Sequence, residues 1–308
     1  MHASRPAPLA PRARRPHAAL VALLFATGCS LAHERAGAGG HDAGPPPPSD
    51  SGLLGDFGQT ESYVLSAFRI SSPDASGTTA FGLDLDGQVA GPAGTCTAQP
   101  DFRSPVSGAL GVDNQLQQLF AAVDSMGEDA ELGALIRGGE LLVGVQVSDI
   151  NSFADDSGVD VHLALLRPAD GTMLPLGPNG ELVAGGRFAV REDLGVYRGA
   201  ITAGVLEVRT TASARVLPVL VSSPVLTVSS LALRARITAS GLTSGELGGE
   251  VSPDELVLAL SSLGATVDRE SLDAIVPFDL HPDPSGIACT ALSMGASIEG
   301  VTAIITGL

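Results

Sequence analysis

Apolar residues recur on alternate positions, or in short continuous runs, through much of this chain, and they predict strands. Residues 140–148 (Glu-Leu-Leu-Val-Gly-Val-Gln-Val-Ser), 158–166 (Gly-Val-Asp-Val-His-Leu-Ala-Leu-Leu) and 225–237 have the branched, alternating character of half-buried or buried strands. Shorter segments at 188–190, 197–209 and 215–221 read the same way. Turn-forming stretches at 151–158 and 169–171 separate them, and Pro224 suits the head of a strand because proline cannot donate to a ladder. One apolar and one polar face per strand implies antiparallel sheets with one side buried.

A period nearer four marks a few helices. At Ser252-Pro253-Asp254-Glu255 serine can cap, proline fits the first turn and Glu255 can reach back, after which Leu256, Leu260 and Leu263 share a face. Asp113 is placed to cap a second helix carrying Leu116, Leu119, Phe120 and Val123, and 131–137 predicts a short third. The expected fold is mainly β: an antiparallel sheet or sandwich-like domain with a few short packed helices.

The N-terminus follows a different pattern. Arg5, Arg12, Arg14 and Arg15 precede an apolar run over 18–27, the layout of an export signal. The run is shorter than the roughly 20 apolar residues that span a bilayer. Small Ala26, Thr27 and Gly28 lead into Cys29, and 23–29 resembles the bacterial lipobox, whose cysteine is freed by cleavage and acylated. That resemblance implies lipidation at Cys29. Ser30 stands where inner-membrane lipoproteins of proteobacteria usually carry Asp, which implies the outer membrane, on either face. An ordinary signal peptide cut elsewhere, with Cys29 incidental, also fits the segment. The expected organisation is a signal peptide over 1–28, the acylated cysteine and a Gly/Ala/Pro-rich tether over 29–52, and one mainly β domain over 53–308.

Charge narrows the partners. Of 17 basic residues four arginines lie in 1–28, so 13 remain against 34 acids, a balance of −21. Such a domain repels nucleic acid and anionic lipid, so membrane attachment would rest on the acyl anchor, and a protein or other envelope partner is left open. The chain has no lysine, which excludes a Schiff-base or phosphate-loop lysine, and no tryptophan, with Tyr63 and Tyr197 as its two tyrosines. A sugar-binding sandwich would therefore have few stacking platforms.

Beyond Cys29 only Cys96 and Cys289 remain, an even pair in an exported chain, which predicts a disulfide; two buried free thiols are the alternative. Carboxylates two apart at Asp84-Leu85-Asp86-Gly87 have the spacing with which short loops aim oxygens at Ca²⁺. Asp279 and Asp283 repeat that manner near Cys289, so a bridge could bring Asp84, Asp86, Asp279 and Asp283 to one cation, with Asn114 as a further oxygen. The same residues equally suit solvated turns stiffened by Pro282 and Pro284. No Gly-x-Ser-x-Gly elbow and no His-Glu-x-x-His helix occurs, and no catalytic residue is assigned.

At Gly82-Leu-Asp-Leu-Asp-Gly87, 111–116, 245–249 and the acidic loop before Cys289, the chain resembles uncharacterised lipoproteins of GC-rich Gram-negative bacteria, notably myxobacterial ones. Their late loop tends to carry regular Asp-x-Asp-x-Asp-Gly, a series that His281 and Ser285 interrupt here. The resemblance implies an anchored envelope protein and brings no known activity. The function expected is a non-enzymatic binding or structural module of the outer membrane, with Ca²⁺ as a stabilising ion. The alternative is a cell-envelope hydrolase, which would need a pocket gathering His162 or His281 with carboxylates.

Overall fold

Strand β1 (Gln59–Arg69) buries Tyr63, Val64, Leu65 and Phe68 and bonds along both of its edges. One edge pairs antiparallel with β4 (Val143–Ile150), the other with β12 (Cys289–Thr306). That double pairing closes the sheet. In the computed structural model the described residues are 58–70, 77–89, 91–99, 101–123, 128–169, 171–210, 214–215, 227–262 and 266–308. All fall within one unit, Leu54–Leu308.

From β4 the ring runs through β5 (Asp156–Pro168), β6 (Gly186–Thr202), β7 (Val205–Arg209), β9 (Thr227–Thr238) and β10 (Gly241–Val251) back to β12. Neighbours around it are antiparallel. The last residues of β12, 303–306, also pair in parallel with 186–189 of β6. Short β8 (Ala214–Arg215) and β11 (Leu280–Pro282) add to β9 and β12, while β2 (Phe102–Arg103) and β3 (Leu110–Val112) form a separate ladder. The fold is thus mainly β and antiparallel, but the sheet forms a closed eight-stranded, barrel-like ring where a sandwich-like arrangement was expected. Alternation along a strand reports one buried face, and that face is the same whether two sheets stack or one curls round.

The expected segments at 140–148 and 158–166 lie largely within β4 and β5, and 188–190 joins 197–202 in the single long strand β6. Strands β1, β10 and β12 had no counterpart among the predicted segments. Glycine and serine dilute the apolar pattern of the latter two, which contain Gly245, Gly248, Gly249, Gly295 and Gly300. Packing imposes at least one of these: a Cβ on Gly295 would meet the Phe81 carbonyl oxygen at 2.1 Å, because the loop through Phe81 and Gly82 crosses directly over β12.

Among the described residues four short helices pack on the sheet: α1 (Leu116–Val123), α2 (Glu128–Gly138), α3 (Pro253–Ser262) and α4 (Arg269–Ile275). Leu116, Leu132, Ile136, Leu256 and Leu272 join the sheet's inner residues in one continuous core. Among the described residues no helix is long and apolar enough to cross a membrane. Two capping expectations need correction. Asn114, and not Asp113, caps α1, its Oδ1 accepting from Gln117 N at 3.2 Å. Glu255 does not turn back on its own helix; its Oε2 accepts from Thr227 N at 2.7 Å and ties α3 to β9. Inside the ring Tyr63 donates its hydroxyl to Thr238 O at 2.9 Å, and burial, with the charge of Glu61, pushes its pKa up. Cys29, the signal, the tether, Leu263 and 216–226 lie outside the described residues.

Candidate functional site

The expected bridge between Cys96 and Cys289 is formed, with Cα atoms 5.4 Å apart across 193 residues of sequence. Cys96 begins a single 3₁₀ turn, Cys96–Ala98, and its N–H donates to Gly286 O at 3.2 Å. The bond therefore holds the loop that follows Gly82 against the segment entering β12. Both acidic loops noted in the sequence lie at this seam.

Asp84 and Asp86 meet a third carboxylate, Asp113, with ligand atoms all within 4.8 Å of one another. The backbone brings them together, since Leu83 and Asp113 form a bridge in which Asp113 N donates to Leu83 O at 3.1 Å. Asp113 Oδ2 accepts from Leu85 N at 2.6 Å and Asp86 N at 3.3 Å. Asp84 Oδ1 takes Gly87 N at 2.6 Å, and Asp86 Oδ1 takes Gln88 N at 2.8 Å. Each carboxylate thus spends one oxygen shaping the turn, and the second oxygen of Asp86 takes a long contact from Gln88 Nε2 at 3.5 Å. Arg209 anchors the loop to β7 by donating from Nη2 to Asp84 O at 2.8 Å.

Charge accumulates around this turn. Burial pushes the Asp113 pKa up to about 8, helped by the charges of Asp86, Asp279 and Asp101 and opposed by the Leu85 N–H. Burial likewise raises Asp101 to about 7, with Asp86, Asp279 and Asp84 adding to it. Asp279 is raised by burial to about 6 although Ser293 works against the rise. Its Oδ1 accepts from Ser293 N at 2.9 Å and its Oδ2 from the Ser293 hydroxyl at 2.5 Å. Hard oxygen donors in such a field suit Ca²⁺ when ionised, whereas protonation would leave only a self-capped turn.

Of the four aspartates predicted as a set, the structure converges Asp84 and Asp86. Asp279 lies within electrostatic reach but is committed to Ser293. Asp283 turns to its own loop, accepting from Ser285 N at 3.1 Å and Ser285 Oγ at 2.7 Å, which hold its carboxyl below the usual range. Asn114 points its amide nitrogen away, to Phe81 O at 2.7 Å and Gly295 O at 3.3 Å. Asp113 is the member that sequence reasoning assigned elsewhere. Two polar residues stand together before α1 and one suffices as a cap, which left the other free for the loop.

A cavity of ≈ 470 Å³ opens beside the disulfide. Leu85, Pro92, Leu280 and Pro282 supply its apolar walls, and Asp86, Glu250, His281 and Thr97 its main polar groups. His281 Nε2 lies 2.7 Å from Glu250 Oε2, the carboxylate side chain being 14% exposed. The imidazole is held there by a backbone with φ of 58°, a conformation few residues with a side chain adopt. His162 has a separate site: its Nε2 meets Asp193 Oδ1 at 2.7 Å between β5 and β6, and this contact holds the Asp193 carboxyl below its usual range. No family model matches the chain, and no curated protein or solved structure matches it.

Proposed function

We propose that this chain is an exported lipoprotein, held at the outer membrane through acylated Cys29, whose closed β domain serves as a non-catalytic binding or structural module. One observation carries the proposal: of three cysteines, Cys96 and Cys289 are bonded within the folded unit, leaving Cys29 as the single thiol, at the lipobox-like position. A disulfide joining distant segments fits an oxidising compartment outside the cytosol. Acyl chains on one cysteine anchor a domain without a spanning helix, each buried methylene contributing about 0.8 kcal/mol. Ca²⁺ is the ion whose preference for oxygen ligands Asp84, Asp86 and Asp113 would meet. Mass spectrometry of the full chain and of Cys29→Ser tests the anchor. Acyl mass is expected on the parent alone, with the variant released to the soluble fraction; an unmodified parent overturns the proposal.

A hydrolase is the second reading, favoured by the His281–Glu250 pair on the cavity wall. With Glu250 orienting one ring nitrogen, the other could serve as a general base toward water. The hydroxyls nearest in the lining are otherwise engaged, Thr95 and Thr97 bonding each other and Thr95 donating to Pro92 O. Turnover of ester, amide or glycoside reporters by the parent, abolished in His281→Ala, would establish this reading over the first.

A further inference from the structure

In the cavity beside the disulfide each carboxylate has one nitrogen-bearing neighbour in the lining, His281 on Glu250 and Gln88 on Asp86. Glu250 engages His281 through Oε2 and has a second oxygen, Oε1. Asp86 faces the same space, and neither lysine nor arginine is among the lining residues. Thr95 gives its one hydroxyl proton to Pro92 O at 2.6 Å, so the proton in its 3.0 Å contact with Thr97 comes from Thr97. Thr97 Oγ1 therefore has lone pairs left to accept. Carboxylate and hydroxyl oxygens call for a charged N–H donor, the pairing that makes the stronger hydrogen bonds.

The walls refine the ligand further. Leu85, Pro92, Leu280 and Pro282 suit methylene groups, which gain by leaving water. Neither phenylalanine nor tyrosine lines the cavity, so the electron-rich ring faces that hold quaternary ammonium groups are missing from it. A bare divalent ion has its converging oxygens at Asp84, Asp86 and Asp113, a group to which Glu250 and His281 do not belong. We propose that the cavity between Glu250, Asp86 and Thr97 binds a small primary aliphatic amine as its ammonium, with the alkyl part against Leu280 and Pro92. The site deepens the binding-module reading and rests on it. The Cys96–Cys289 bond holds the opposing walls at a fixed spacing, so the site is formed before the ligand arrives.

The test is calorimetric titration of the full chain with butylamine and with putrescine, in chelator, with tetramethylammonium as the comparison cation. Saturable binding of both amines is expected, and none of tetramethylammonium. Glu250→Gln should weaken binding about tenfold or more, as loss of a charge-assisted partner does. Asp193→Asn, at the separate His162 pair, should leave affinity unchanged. If Glu250→Gln does not fold, Thr97→Val keeps the volume, removes the acceptor and should also weaken binding. The proposal is overturned by a folded parent that binds neither amine, by equal affinity for tetramethylammonium, or by amine affinity unaltered in the cavity variants. Reporter turnover by the parent would overturn the non-catalytic reading while leaving the amine titration intact, so the two failures are distinguishable.

Discussion

A Cβ at Gly295 would stand 2.1 Å from the carbonyl oxygen of Phe81 and 2.7 Å from Gly82 Cα. The acidic loop is thus laid against β12 at a spacing only glycine permits. Gly295→Ala must push loop and strand apart, and a loss of about 1–3 kcal/mol, or more, is expected by analogy with overpacked cores. Urea denaturation reads it directly, and an unchanged midpoint would mean the loop does not cross there.

Asn114 locks the same crossing from the helix side, donating to Phe81 O and Gly295 O while capping α1. Asn114→Ala removes the cap and one donor from each of the Phe81 and Gly295 carbonyls, a loss of about 2–3 kcal/mol. Asn114→Asp keeps the capping oxygen but turns a carboxylate toward those carbonyls, so it should not rescue. Melting followed by circular dichroism separates the two; full stability in the aspartate variant would contradict the donor role.

Reduction, or Cys96→Ser with Cys289→Ser, opens a cross-link spanning 193 residues. A loss of about 2–5 kcal/mol is expected from the gain in unfolded-chain entropy. Chemical unfolding with and without reductant should show it in the parent and not in the double variant.

Glu246 provides a pH prediction. It is 1% exposed, and burial raises its pKa although the Ser104 hydroxyl donates to it at 2.6 Å and Arg234 favours its charge. A folded pKa above the unfolded one gives stability that is full below the ordinary glutamate range, near about 4.3, and lost as pH rises through the folded value. As pH rises above the ordinary glutamate range the parent should therefore lose more stability than Glu246→Gln, whose side chain does not titrate. Parallel pH profiles for the two would show that Glu246 is ionised in both states.

Ca²⁺ should raise the melting temperature if the oxygens of Asp84, Asp86 and Asp113 hold it, the stabilisation being about 2.7 kcal/mol at a hundredfold excess over its dissociation constant. Asp84→Asn should blunt the rise, and chelator should reverse it. A melting temperature indifferent to both leaves the three as turn formers.

Strands β4, β5 and β9 were legible in the sequence because valine and leucine alternate there against few competing signals. Strands β10 and β12 were not, since loop crossings and tight packing impose glycine where a strand would otherwise carry branched residues. The disulfide followed from counting cysteines. Asp84 and Asp86 were visible as neighbours in sequence, whereas Asp113 reaches them through a bridge to Leu83, a long-range pairing that no local spacing encodes. Glu250 was hidden for a similar reason: it sits 31 residues from His281 and meets it only because β10 and β11 both pair with β12.

Closure of the ring between β1 and β12 has a consequence for the order of folding. The first described strand can complete its pairing only once the last has emerged, so a chain delivered from its N-terminus stays an open, unsatisfied sheet through nearly its whole passage. An incomplete form of this domain must be shielded until the final strand arrives, and truncation within β12 should yield an aggregating species rather than a smaller folded one.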